Sequence, residues 1–220
     1  NPLSAVAEST SYARVVGNLN ASGDLSGGGS LIRLNATALN GFSVLAGAQN
    51  QPAGNNMIQG NTRLIDLEDP EATGQSMFAD GQVLQLNGAR KGGAVLPTAE
   101  LTISDSSTIN DLVAFLNEAL GLHDTGSANP DGRTPGAIAI ALEGSIAING
   151  NIGEINDLEL PSSAFRLLND DGSIDRLPFV SSKAQEASGE SVRPAFIVYD
   201  STGQEVPVDL TFAAQSTADT

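Results

Sequence analysis

The chain has 220 residues, enough for one large or two modest domains, and sets 10 Lys and Arg against 26 Asp and Glu for a formal charge of −16. That balance argues against a nucleic-acid partner or an anionic membrane surface, because no basic stripe offsets the repulsion of phosphate. Cys and Trp are both absent, which excludes disulfides, thiolate catalysis and Cys-containing zinc sites.

Aromatic residues make up 4% of the chain and Gly numbers 24, a composition that suits sheets with many corners better than a helix bundle. No apolar run reaches the ~20 residues that a membrane-spanning helix needs. The N-terminal Asn1-Pro2-Leu3-Ser4 has neither an initiator Met nor the basic and apolar regions of a signal peptide. Both ends therefore read as internal cuts in a longer protein.

In chain order, a strand is expected over Ala13–Leu19, followed by a flexible connector at Ser22–Ser30, rich in Gly and Ser. Leu31-Ile32-Arg33-Leu34 and Phe42-Ser43-Val44-Leu45 are short apolar pieces, Gly47–Asn61 is loop-like, and Arg63–Leu67 fits a short strand. Gln82–Asn87 and Ala99–Ile103 read as strands, with Lys91-Gly92-Gly93 in a wide turn between them. The next segment predicts a helix of about 108–120. Thr108 can cap it, with Asp111 in the capping-box position. Ile109, Leu112, Val113, Leu116 and Leu120 share one face, and Gly121 suits the C-terminal stop. This β-β-α unit is the clearest supersecondary signal in the sequence.

Leu122–Gly136 is a polar loop turning at Asn129-Pro130-Asp131-Gly132. Ala137–Leu142 alternates large and small apolar residues, and Ser145–Asn149 is its expected hairpin partner across Glu143-Gly144. Leu158–Leu168 is ambiguous, Asn169-Asp170-Asp171-Gly172 is a turn, and Ser181–Ser191 reads as a second polar connector. Last comes a hairpin: the apolar run Phe196–Tyr199, a turn at Asp200-Ser201-Thr202-Gly203, then Val206, Val208, Leu210 and Phe212 at a period of two.

Few residues suggest chemistry. His123 is the single imidazole and follows the helix, where His commonly meets terminal carbonyls; no Gly-x-Ser-x-Gly elbow accompanies it. Asn169–Asp175 loosely resembles a calcium loop but lacks the spaced acids and the distal Glu of an EF-hand. Asn129–Gly132 reads as a plain turn and Glu68-Asp69-Pro70-Glu71 as a solvated acidic loop. Paired carboxylates for glycoside hydrolysis would want aromatic platforms, and the chain has two Tyr. Gly27-Gly28-Gly29 lacks the strand–loop–helix context and Lys of a phosphate loop. No catalytic residue, cofactor or metal site is expected.

The segment Val198-Tyr199-Asp200-Ser201-Thr202-Gly203 resembles the Val-Tyr-Asp-Ser-Leu-Gly segment of the bacterial flagellar hook protein family, with Thr202 where the family usually has Leu. Gly17-Asn18-Leu19-Asn20, preceding it, resembles the family's Gly-Asn-Leu-Asn or Gly-Asn-Leu-Asp segment. The order agrees with the family, while the long interval between the two departs from its short members and implies a large inserted domain. The two motifs cover only a small part of the 220-residue chain, and context alone places the middle.

With the two connectors bracketing a central block and the two motifs outside it, the expected architecture is mainly β: a discontinuous, sandwich- or barrel-like lobe from residues 1–28 and 189–220, with residues 29–188 as an inserted β-rich domain carrying the helix. The resemblance implies an extracellular structural subunit of the hook, exported without a cleaved signal peptide. The hook is the curved tube that joins the basal-body rod to the filament as a universal joint. Its partners would be other hook subunits and the hook-associated and rod proteins, with no nucleic acid and no membrane. Because only outer lobes are expected in this chain, it should be monomeric alone. An acidic cell-surface adhesin or S-layer-type β-domain is the alternative, favoured by a cleaved signal peptide or tandem copies in the intact gene. A secreted hydrolase domain, marked by a deep pocket with converging carboxylates, stands third.

Overall fold

The computed structural model describes residues 9–16, 23–49, 56–124 and 126–215. The protein is mainly β, built from antiparallel sheets, with one α-helix among the described residues. The larger of its two principal sheets orders its strands Val180–Gln185, Gly29–Asn35, Ser145–Ile152 and Gly136–Ile140. Along Gly29–Asn35 the alternation works as the pleat demands: Ser30, Ile32 and Leu34 point inward while Arg33 points out and pairs with Glu143. Ile146 and Ile148 of the neighbouring strand are fully buried beside them. On Gly136–Ile140, Ala137 faces the core and Ile138 faces outward, so the small side of the alternation is the packed one.

The Gly-rich run expected to be a flexible connector is instead packed tightly into this sheet. Ser26, Gly28, Gly29 and Ser30 are buried, and the strand begins at Gly29. A Cβ on Gly29 would lie 1.9 Å from the Gly150 carbonyl oxygen, and one on Gly28 would lie 2.1 Å from Asp131 Oδ2. At Gly29, against backbone, glycine is needed for close approach, which composition cannot tell apart from flexibility. The second expected connector fails too. Most of its first half lies in the strand Val180–Gln185, which pairs Ser182 with Arg33 and Ser181 with Leu34. Its polar sequence reflects its place at the sheet edge, half open to water.

The second principal sheet orders Ile174–Arg176, Phe165–Leu168, Val83–Leu86 and Ala99–Thr102. Leu84 sits between Leu167 and Leu101, and Leu84, Leu86, Phe165 and Leu167 are buried. The wide turn inside this unit is itself a small hairpin, Arg90–Lys91 with Ala94–Val95, and Leu158–Glu159 pairs with its first strand. Arg63–Leu67 is not a strand. It forms a 3-10 turn at Leu64–Asp66, flanked by single bridges from Arg63 to Thr108 and from Val44 to Leu67. The Arg63 guanidinium donates to both carboxylate oxygens of Asp66 at 2.8 Å, which closes the turn in place of a ladder.

The helix spans Ile109–Ala119 with a complete capping box: the Asp111 N–H donates to Thr108 Oγ1, and the Thr108 N–H donates to Asp111 Oδ2. Ile109, Leu112, Leu116 and Leu120 are fully buried. At the far end Gly121 adopts φ 56°, its N–H donates to the Glu118 carbonyl, and the Leu122 N–H donates to the Asn117 carbonyl. These two bonds are a Schellman stop. Side chains from both principal sheets and the helix merge into one core. Phe179 is its aromatic centre, with ring centroids 5.2 Å from Phe165, 5.7 Å from Phe42 and 6.2 Å from Phe78.

Among the described residues, every buried apolar side chain lies between Ile32 and Ala187. The terminal hairpin beyond them pairs Ala195–Tyr199 with Glu205–Asp209. The expected continuous run to Phe212 is interrupted, because Phe212–Ala213 pairs instead with Ser191–Val192. Pro194 lies between the two partner strands and has no N–H to continue a ladder; its carbonyl accepts the Leu210 N–H at 3.1 Å.

Candidate functional site

The hook-like residues of the second motif lie together at the tip of the terminal hairpin. Val198 pairs with Val206 and Tyr199 with Glu205, leaving Asp200 to open the turn. Asp200 Oδ1 accepts three hydrogen bonds: from the Thr202 hydroxyl at 2.6 Å, the Thr202 N–H at 2.7 Å and the Gln204 N–H at 2.9 Å. Its carbonyl accepts the Gly203 N–H, and Gly203 takes φ 81°, which a side chain would resist. The Thr202 hydroxyl bond, with the backbone N–H donors behind it, holds the Asp200 carboxyl below its ordinary range. Thr202, where the family usually has Leu, thus contributes a bond that Leu could not. Ser201 is exposed in the turn.

The opposite edge of the Ala195–Tyr199 strand is met by the N-terminal segment. The Tyr199 N–H donates to Thr10 Oγ1 at 2.8 Å, and the Thr10 N–H donates to the Tyr199 carbonyl at 2.9 Å. Further along, the Glu190 N–H donates to the Asp24 carbonyl, the Ser26 N–H to the Ala214 carbonyl and the Ala214 N–H to the Glu190 carbonyl. Segments from both ends of the sequence therefore share backbone bonds. Gly17, Asn18, Leu19 and Asn20 of the first motif lie outside the described residues, as does the end of the strand expected over Ala13–Leu19; Ala13–Val16 is not in a strand.

The acidic turns resolve as structural features. Asn169–Gly172 closes through the Asn169 N–H to the Ser173 carbonyl and the Gly172 N–H to the Asn169 carbonyl, with Asp171 accepting the Ser173 N–H. Asn129–Gly132 turns likewise, and Asn129 Nδ2 donates inward to the Gly150 carbonyl. Glu68–Glu71 is not the solvated loop its composition suggests. Asp69 is buried and ion-paired with Arg176, and its Oδ1 accepts the Glu71 N–H at 2.9 Å. Among the described residues, no group of three or more His, Asp or Glu side chains could hold a metal ion.

One cavity escapes local sequence reasoning. It has a volume of about 490 Å³ and is lined by Lys91, Leu96, Leu120, His123, Arg193 and Leu210, among others. Lys91, read above as a turn residue, is a buried strand residue whose ammonium donates to the Gly121 carbonyl at 2.6 Å and the Leu120 carbonyl at 3.2 Å. The Lys, rather than His123, meets the helix-terminal carbonyls. His123 is tied through its backbone to Asn151, which both accepts its N–H and donates to its carbonyl. Burial, with the Arg193 charge in support, lowers the Lys91 amine from 10.5 to about 8. Comparison with protein-family models, curated proteins and solved structures returns no match.

Proposed function

We propose that this protein is an outer-lobe portion of a flagellar hook subunit, a structural component of an extracellular universal joint and not a catalyst. The observation that carries the reading is the Tyr199–Gly203 strand and turn, with Thr10 bonded at Tyr199, so that the N-terminal segment returns to the hook-like hairpin. The large β-rich body between Gly29 and Ala187 accounts for the long interval between the two motifs as an insertion. A polar, acidic surface suits a joint whose subunits slide, since exposed ion pairs are individually weak, about 0–1 kcal/mol. In the assembled tube the partners are neighbouring copies of the subunit, with rod and hook-associated proteins at its ends.

Immunogold labelling of the source cells with antibodies raised against residues 23–215 tests the reading. Gold confined to the short curved segment at the base of each flagellum is the expected result. Uniform labelling of the cell envelope would instead indicate a surface-layer or adhesive protein and end the hook assignment.

A further inference from the structure

Independent of this assembly role, a cavity lies at the C-terminal end of the helix. Its floor is cationic in a chain of charge −16. Among the described residues the ion pairs are made by Arg33, Arg63, Arg133, Arg176 and Lys183. Lys91 and Arg193 instead hold backbone carbonyls, Lys91 those of Leu120 and Gly121, and Arg193 that of Ile155 at 2.9 Å. An ammonium has three N–H donors and a guanidinium five, so both retain donor capacity. The walls beside them are apolar: Leu96, Leu120, Ile152, Leu210 and Ala213.

We propose that this cavity binds a small monocarboxylate with an apolar body, its carboxylate bridging Lys91 and Arg193 and its body against Leu96, Leu120 and Leu210. Among the described residues neither cation makes an ion pair with a side chain, so the two together can attract an anion, and partial burial strengthens that attraction over its value in water. Asp209 also lines the cavity, and together with the acidic surface it disfavours a dianion such as phosphate. The lowered Lys91 amine fits the same picture, because a bound carboxylate would supply the charge that the site lacks. The Arg193 charge acts on the amine and the helix-end carbonyls accept its N–H groups, while His123 and Asp209 are the other titratable residues of the cavity lining.

Benzoate is the probe, with benzamide and inorganic phosphate as comparisons, followed by two-dimensional NMR of the full 220-residue chain. Saturable shifts are expected for benzoate at the amides of Gly121, Leu210 and Thr211, with at least about tenfold weaker binding of benzamide and of phosphate. Raising the pH from 7 to 9 neutralises most of the Lys91 amine and should weaken benzoate several-fold; Lys91→Met should remove that pH dependence. Because Lys91→Met removes the bonds to the helix-end carbonyls, Arg193→Gln, just after the strand Ser191–Val192, is the second variant and should weaken benzoate about tenfold. Absence of saturable shifts, benzamide or phosphate binding as tightly as benzoate, or unchanged affinity in Arg193→Gln would each overturn the proposal.

Discussion

Replacing Arg176 with Met keeps an aliphatic stem but strands the Asp69 carboxylate. The Asp69 side chain is only 6% exposed and that of Arg176 36%, so the pair lies between the surface and interior limits. Exposed pairs contribute about 0–1 kcal/mol, whereas removing one partner of a buried pair costs about 3–5 kcal/mol. An intermediate loss of about 2–3 kcal/mol is expected at pH 7. Burial alone would raise the Asp69 carboxyl, but the Arg176 hydrogen bond, the Glu71 N–H and the Arg176 charge outweigh it and hold it below 3.8. The folded state therefore binds fewer protons than the unfolded state as pH falls through this range. Its stabilisation is fully present above 3.8 and lost as pH drops through the lower folded value. Urea unfolding at pH 7 and in mild acid checks both points. The midpoint should fall by about 1 M in Arg176→Met at pH 7, and the deficit should shrink on acidification. A deficit under about 0.5 kcal/mol at pH 7, or one independent of pH, would refute the reasoning.

Substitutions elsewhere probe separate layers of the fold. Thr108→Ala removes the hydroxyl that accepts the Asp111 N–H and should cost about 1 kcal/mol in the same urea assay. Phe179→Ala empties the centre of the aromatic cluster and should cost about 3–5 kcal/mol, with Phe179→Leu recovering part of it. Gly29→Ala would drive a methyl into the Gly150 carbonyl and should cost about 1–3 kcal/mol, whereas Gly88→Ala meets no atom within 4 Å and pays only for its φ of 84°.

What the sequence disclosed was local. Thr108, Asp111 and Gly121 mark the helix because cap and stop act within a few residues. Asp200 and Gly203 mark the hairpin turn for the same reason. The misses share the opposite character. Gly28 and Gly29 look like linker until the Asp131 carboxylate and the Gly150 carbonyl are placed against them. Ser181–Gln185 becomes a strand because the distant Gly29–Asn35 supplies its ladder. Arg63–Leu67 has strand-like composition, but the Arg63–Asp66 fork favours a tight turn. The cavity unites Lys91, the helix end, Arg193 and the Asp209–Ala213 segment, which nothing in the local pattern links.

The Gly29–Asn35 strand has both its neighbours far downstream: Arg33 lies opposite Ala147 on one side and Ser182 on the other. During synthesis it emerges early yet has no ladder to join until most of the chain has followed. The β-β-α unit around Val83–Ala119, by contrast, can organise from nearby contacts. Folding should accordingly begin in the middle of the polypeptide, with the earliest strand threading into place late. A C-terminal truncation before Val180 should then leave that strand with an unsatisfied edge, a template for aggregation rather than a smaller working domain.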